Sequence, residues 1–384
     1  DMNRIALHML MGDTGKYLGI VAGVMFASLL LVQQLAMFVG IMTQMYSGIN
    51  AVNAEIWVMD PKVRFIDDSQ PMTDGQIGRV RSVEGVAWAV TLYKGSVQAK
   101  LEDGTNTAIV LYGIDDTTLI GGPAVMTAGT LSDVRQSEAV VVDAISAGDK
   151  LAHVNPDGTR TPLKLGDTLE LNDHRVVVVG FCEVSRGFQS QPVVYTTYTR
   201  ALSMVPSQRK NLSFILAAPQ QGQSAEKVAA RIGRITRLAA YTSQQFIEKT
   251  LRYYITETSI VINFGLSVFI AFLMGTLIAG QTFYNFTMDN LRHFGALKAM
   301  GAGNRTLLSM ILTQAALVGF LGYGTGTGLA SLLGWATQDS MITFTLPWQV
   351  LAAAGLAVVG IVAISSVISL RKVMKLEPGI VFRG

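Results

Sequence analysis

Four stretches of the chain are almost wholly apolar, and between the first and second lies a long segment of different texture. The first, "YLGIVAGVMFASLLLVQQLAMFVGIM" (17–42), is interrupted only by Gln33 and Gln34. The second, "TSIVINFGLSVFIAFLMGTLIAGQTFYNFTM" (258–288), has no charged residue. The third and fourth cover 306–335 and 347–370, and Asp339, in the short connection 336–346, is the only charge from Thr306 to Leu370. A helix needs about 20 mostly apolar residues to cross roughly 30 Å of hydrocarbon. Backbone at that depth must satisfy its own hydrogen bonds, so each stretch predicts a membrane-spanning helix. No signal-peptidase site is evident after the first, which is therefore expected to be retained. Gln33 and Gln34 are costly in lipid and are predicted to face other helices.

The segment from 43 to 257 has a shorter period. Runs rich in β-branched residues recur between turn signals: "AEIWVMD" (54–60), "AWAVTLY" (87–93), "TAIVLYGID" (107–115), "EAVVVD" (138–143), "DTLELNDHRVVVVGF" (167–181), "QPVVYTTY" (191–198) and "LSFILAA" (212–218). These read as strands. Asn172 and Asp173 suit a tight hairpin turn. Helical spacing interleaves at 74–83 and 224–238. Strands mixed with a few helices predict an α+β domain over 43–242, with room for two lobes. The segment "SQQFIEKTLRYYITET" (243–258) is polar, helix-competent and free of proline and glycine up to the second span. It predicts a stalk over 243–257, with Phe246, Leu251, Tyr253 and Tyr254, continuous with that span. A continuous helix transmits displacement where a flexible linker does not.

Composition agrees with a membrane protein carrying one folded insert. Of 384 residues, 50% are hydrophobic and 15% charged, against about a quarter charged in ordinary soluble domains. The net charge of +3 is too small to imply nucleic-acid binding. One cysteine, Cys182, allows no intrachain disulfide, and four scattered histidines with it argue against a protein-built zinc site. Basic residues gather in the first segment 1–16 (Arg4, Lys16), in 289–305 (Arg292, Lys298, Arg305) and in the tail 371–384 (Arg371, Lys372, Lys375, Arg383), while the rest is net acidic. The positive-inside rule then places both termini and 289–305 in the cytoplasm and 43–257 outside.

Catalytic patterns fail one by one. "GDTGKY" (12–17) has Leu10 where a phosphate loop needs its first glycine, and Tyr17 where it needs Ser or Thr. No GxSxG elbow occurs. His153 and His174 lack acidic or cysteine neighbours at ligand spacing and read as surface or turn residues. The acidic pair Asp67 and Asp68 reads as a solvated turn. In the third span Gly322 and Gly326 form one GxxxG pair, Gly324 and Gly328 another. Such pairs let backbones approach closely, within the bundle or across a homodimer.

The stretch "LRHFGALKAMGAGNR" (291–305) interrupts two apolar spans. As a helix it puts Phe294, Leu297 and Met300 on one face, flanked by Arg292 and Lys298, and Gly301 and Gly303 end it. Such a helix lies on headgroups or docks in a partner's groove. The stretch resembles the signature of FtsX/MacB-type (mechanotransmission) permeases of ABC transporters. So do the four-span layout, "KLGDTLELNDHRVVVVGF" (164–181) and the tail "SLRKVMKLEPGIVFRG" (369–384). With "AEIWVMDP" (54–61) it looks closest to the DevC-like branch, whose ATPase is a separate chain. The resemblance implies a non-catalytic subunit of a bacterial inner membrane, working as a homodimer. Arg292, His293, Phe294, Gly295, Leu297, Lys298, Met300 and Gly301 would then contact separate ATPase subunits that hold the ATP and Mg, leaving no cofactor in this chain. It also implies a periplasmic adaptor, an outer-membrane duct and contact with membrane lipid. Lipoprotein release and FtsX-like signalling are the alternatives on the same scaffold, and a membrane-anchored outer enzyme or sensor is a third. Two positions depart from the family pattern: His293 replaces the usual glutamate, and Gly303 a frequent Ser or Thr.

Overall fold

In a computed structural model, residues 8, 10–12, 14–101, 103–155, 157–184, 191–206, 212–337 and 344–374 are described. The readings on Arg4, Asp339, Lys375, Arg383 and the end of the tail lie outside them. The chain divides into two compact units, Asp1–Ile41 with Ser259–Gly384, and Met42–Thr258. In chain order the helices are α1 (Thr14–Asn50), α2 (Gly75–Arg81), α3 (Ala144–Gly148), α4 (Tyr198–Ser203) and α5 (Ala225–Thr236). After them come α6 (Ser243–Glu257), α7 (Ile260–Asp289), α8 (Leu291–Ala299), α9 (Asn304–Ala336) and α10 (Trp348–Met374). The strands are β1 (Ile56–Met59), β2 (Val86–Lys100), β3 (Asn106–Ile114), β4 (Val125–Ala128), β5 (Ala139–Asp143) and β6 (His153–Val154). The later ones are β7 (Arg160–Thr161), β8 (Thr168–Leu171), β9 (His174–Glu183), β10 (Val193–Thr197), β11 (Phe214–Pro219) and β12 (Ala239–Thr242).

Residues 42–258 form two lobes that share one strand. In the first lobe the strand order is β12-β1-β11-β2, all neighbours antiparallel. With α2 between β1 and β2, and α5 between β11 and β12, this is a split βαβ repeat of the ferredoxin-like kind. The second lobe is inserted between β2 and β11. Its pairings run β2–β3–β10–β5–β9–β8 and return to β2, a closed six-stranded barrel. Closure removes free edges from those six strands. The fifteen-residue strand β2 serves both lobes: Val86–Leu92 pairs with β11, and Tyr93–Lys100 with β3.

Period-two burial explains why the apolar runs are continuous. Ile109 and Leu111 of β3, Val140 and Val142 of β5, and Val194 of β10 fill the barrel. Their neighbours Tyr112, Val141 and Tyr195 point the other way, into a core shared with Trp57, Leu92, Phe214 and Leu216 of the first sheet. On that sheet's far face, Ile56, Val58, Ile215 and Ala217 pack against Val228 and Ile232 of α5. Strands buried on both faces carry no polar alternation. Asn172 (φ 45°) and Asp173 (φ 64°) form the expected left-handed hairpin turn between β8 and β9.

Among the described residues, the other unit draws on four helices long and apolar enough to cross a membrane: Thr14–Asn50, which continues past Ile41, Ile260–Asp289, Asn304–Ala336 and Trp348–Val367. Gln33 and Gln34 are half-buried in it. The two glycine pairs of α9 separate cleanly. A Cβ on Gly326 would lie 2.5 Å from the Met25 carbonyl oxygen, and one on Gly322 would lie 2.6 Å from a Val24 methyl. Gly324 and Gly328 have nothing within 4 Å of such an atom. The first pair therefore seats α1 against α9, and the second faces away from the described bundle.

The sequence reading of a continuous stalk and second span is corrected. Thr258 is extended (φ −118°, ψ 156°), so α6 ends at Glu257 and α7 begins at Ile260. Two hydroxyls bond helical carbonyls in the last turn of α6. The Thr258 hydroxyl donates to the Tyr254 carbonyl, and the Thr256 hydroxyl to that of Arg252 at 2.9 Å. Such bonds weaken a helix only slightly, and Thr276 and Thr282 make them inside unbroken α7. On the α1–α9 contact, Gly326→Leu should cost about 1–3 kcal/mol through overpacking, while Gly324→Leu stays within about 0.5 kcal/mol. Graded heating of the full chain in detergent, followed by size exclusion, measures both.

Candidate functional site

Two places in the structure join elements that the sequence reading singled out, one in each unit. The first is the turn between α7 and α9. Asn290 alone separates α7 from α8, and its side chain donates to the Phe286 carbonyl at 2.9 Å. At the other end Gly301 adopts φ 95°, the left-handed conformation expected just beyond a helix. The Ala302 amide donates to Leu297 at 2.9 Å and the Gly301 amide to Lys298 at 3.1 Å, so the last carbonyls of α8 are capped. Lys298 lies in the last turn, where a cation complements the helix dipole. Gly303 precedes α9 and caps it without a side chain.

The expected apolar face of this helix is split. Phe294 is 1% exposed and packs with Leu307, Met310 and Ile311 at the start of α9, with Leu297 half-buried beside it. Gly295 is buried too. Met300 lies just beyond the helix and is 76% exposed. Phe294 and Leu297 thus fasten α8 to α9 instead of facing outward. The exposed surface is made by Arg292, His293, Met300, Gly301 and Arg305. Sequence spacing gave the face correctly but could not say that α9 would cover most of it.

The second place is the stalk α6. Thr242 caps it in a reciprocal box, its hydroxyl accepting from the Gln245 amide at 3.3 Å while the Gln245 side chain accepts from the Thr242 amide at 3.0 Å. Ser243 donates to the Ala54 carbonyl at 2.5 Å and accepts from the Trp57 indole at 3.2 Å. Phe246 is fully buried, its ring centre 5.5 Å from Trp57 and 6.0 Å from Phe214. Farther along, Tyr253 stacks on Phe65 with centroids 4.5 Å apart, and Tyr254 lies 5.3 Å from the same ring. The Arg64 guanidinium sits 5.1 Å from the Tyr253 ring centre. Leu251 is half-buried. Three of the four expected stalk residues therefore hold the helix against its own domain through aromatic contacts.

Asp67 and Asp68 lie at a turn, Asp67 exposed as expected, and both are paired. Asp68 accepts from Arg64 at 3.1 Å, and Asp67 pairs with Lys94, which is 7% exposed and also donates to the Ile66 carbonyl at 3.2 Å. Burial works against the Lys94 ammonium, yet Tyr112 and Asp67 beside it hold its pKa above the ordinary lysine value. A buried cation needs such a partner. The signal was present in "AWAVTLYKGSV" (87–97), a lone lysine at an inward position of an apolar strand. Likewise His153 has an acidic neighbour, Asp167, at 3.3 Å, that its flanking sequence does not reveal. His174 sits 2.9 Å from the Asn172 carbonyl, in the hairpin turn.

Comparison with known proteins covers nearly the whole chain. Residues 17–235 match the MacB-like periplasmic core domain, and residues 265–378 the FtsX-like permease C-terminal region. A protein of Mycobacterium tuberculosis (strain ATCC 25618 / H37Rv) named as an uncharacterized ABC transporter permease is 25% identical over 319 residues, 82% of this chain and 80% of that one. Another so named, from Mycobacterium bovis (strain ATCC BAA-935 / AF2122/97), is 23% identical over 222 residues, 57% of this chain and 58% of its own. Among solved structures, the periplasmic region of MacB from Actinobacillus actinomycetemcomitans matches at 17% identity and TM-score 0.38, over 53% of this chain and 95% of that one. The extracellular domain of YknZ from Gram-positive bacteria matches at 14% and TM-score 0.34, over 49% and 98%.

The split face of α8 separates stability from surface. Phe294→Ala should destabilise the full chain by about 3–5 kcal/mol, the usual loss for a buried aromatic. Met300→Asp should stay within about 0.5 kcal/mol, as an exposed substitution does. Thermal unfolding of both variants in the same detergent measures the difference.

Proposed function

We infer that this chain, which belongs to the MacB/FtsX-type ABC transporter permeases, passes work from a separate ATPase across the membrane to its folded outer domain. The observation that carries this reading is the exposed end of the α8 turn. One apolar side chain, Met300, and the polar Arg292, His293 and Arg305 are exposed in the turn between two spans. An ATPase surface with an apolar socket and acidic rim complements it. The apolar anchor supplies affinity, and the charges supply orientation and rate of encounter.

In this reading the termini and α8 face the cytoplasm of a bacterial inner membrane, and two copies of the chain pair with two ATPase subunits. ATP and Mg belong to those subunits. Closure of the ATPase dimer pushes on the Met300 end of α8. Because Phe294 is seated on Leu307, Met310 and Ile311, the push reaches α9 as directly as it reaches α7. The outer domain then changes pose and acts on a periplasmic adaptor that leads to an outer-membrane duct, which makes export the task.

Met300→Asp should reduce the amount of ATPase recovered with tagged full-length chain by at least about tenfold, the loss of one anchoring contact. The measurement is co-purification after co-expression with the ABC ATPases of the same genome, and undiminished recovery overturns the docking role. The purified chain alone should hydrolyse no ATP in a phosphate-release assay, and sustained turnover by it would remove the subunit assignment.

A further inference from the structure

The loop between β1 and α2 touches the stalk on one side and the shared strand on the other. On the stalk side, Phe65 lies 4.5 Å from Tyr253 at an interplanar angle of 16°, and 5.3 Å from Tyr254. On the strand side, Lys94 reaches out of β2 to the next two residues of the loop, the Ile66 carbonyl and the Asp67 carboxylate. Arg64 and Asp68 close the loop on itself through the 3.1 Å ion pair, which fixes the backbone between the two contacts.

The position of Lys94 gives this bridge its meaning. It falls at the point where β2 stops pairing with β11 and starts pairing with β3: Leu92 faces Phe214, and Tyr93 faces Gly113. Around it the backbone is held on both sides. The Lys94 amide donates to the Ser213 hydroxyl at 3.0 Å, and that hydroxyl donates to the Lys94 carbonyl at 3.0 Å. Across the pair from Lys94 is Tyr112, whose ring stacks on Tyr195 of β10, a barrel strand, at 5.1 Å. Stalk, loop, shared strand and barrel are thus in unbroken contact.

We propose that the loop Val63–Asp68 is a mechanical relay, in which Phe65 reads the position of the stalk and the Asp67–Lys94 pair delivers it to the junction of the two lobes. The two contacts suit the two tasks. A stacked aromatic ring follows lateral motion of its partner while tolerating slip, and such a pair contributes about 0.5–1.5 kcal/mol. A buried ammonium cannot leave its carboxylate without a large desolvation cost, so the strand must follow the loop. The relay serves the force-transmitting reading given above, but its existence does not depend on an ATPase.

Hydrogen exchange of the full chain in lipid nanodiscs, without nucleotide or partner, tests it. Tyr253→Ala, a change on the stalk, should speed exchange of amides in 93–97 of β2 by about threefold to tenfold, the range of ordinary coupling energies. Phe65→Ala should do the same, and Phe65→Trp, which keeps the stack, should restore wild-type rates. In a chain carrying Lys94→Met with Asp67→Asn, which removes both charges together, Tyr253→Ala should alter the loop but leave 93–97 unchanged. Exchange in 93–97 that ignores Tyr253→Ala overturns the relay, and so does an equal response in the charge-free chain. These rates are independent of the Met300→Asp result, so the relay and the transport reading fail separately.

Discussion

Strand β2 must satisfy two sheets with one backbone, and the architecture of the outer domain depends on how it does so. Its first half completes the split βαβ sheet through β11, and its second half opens the barrel through β3. A strand can change partners only if its hydrogen-bonding groups are taken up at the change-over. Ser213 does this, bonding both the amide and the carbonyl of Lys94. The side chain at the same residue is a buried cation, and its demand for a partner draws in the loop that carries Asp67. A local backbone requirement and a local charge requirement therefore fall on one residue, and each ties a different part of the domain to it.

The membrane unit solves a different problem. Lipid offers no hydrophobic drive for helix association, so packing must come from close approach. Gly322 and Gly326 allow α9 to touch the backbone of α1 at Met25. Where α9 leaves the apolar stretch, association becomes side-chain packing again, and Phe294 fills the angle between α8 and the first turns of α9. Lys16 and Asp289 pair at 2.7 Å, both half-exposed, beside the end of α7. The most hydrophobic residue of the turn is thus spent on rigidity, and a flexible methionine is left at the surface. Methionine adapts its shape to a socket at low cost.

Much of this was legible in the residues themselves, and the misses share a cause. The four spans declare themselves because lipid tolerates almost no charge, and each expected strand run became a strand, β1, β5 and β10 being buried on both faces. By contrast β12, with Ala239, Ala240 and Tyr241, and the second half of β2, with Lys94, Gly95 and Ser96, carry weak local preference and exist through pairing with distant residues. Barrel closure rests on two residues of β2, Ala99 and Lys100, meeting Leu171 and Glu170. Which side of α8 stays exposed could not be read from spacing for the same reason. Helical spacing shows that Phe294 and Leu297 share a face, but only the fold shows what covers it. The break at Thr258 was no more legible, since Thr276 and Thr282 make the same hydroxyl bond within an unbroken helix.

That interruption ends α6 within its own domain. A rod fails at its weakest section, and the two ends of α6 are unequal. Its first half is tied by a reciprocal cap, by Ser243 to Ala54 and Trp57, and by a buried phenylalanine whose loss alone costs about 3–5 kcal/mol. At Thr258 the backbone is already extended, so the rotation of a joint there breaks no helical turn. A rotation at Thr258 would leave the ties of α6 to its own domain intact. Tyr253 and Tyr254, two turns beyond Phe246, are held to the same domain by Phe65.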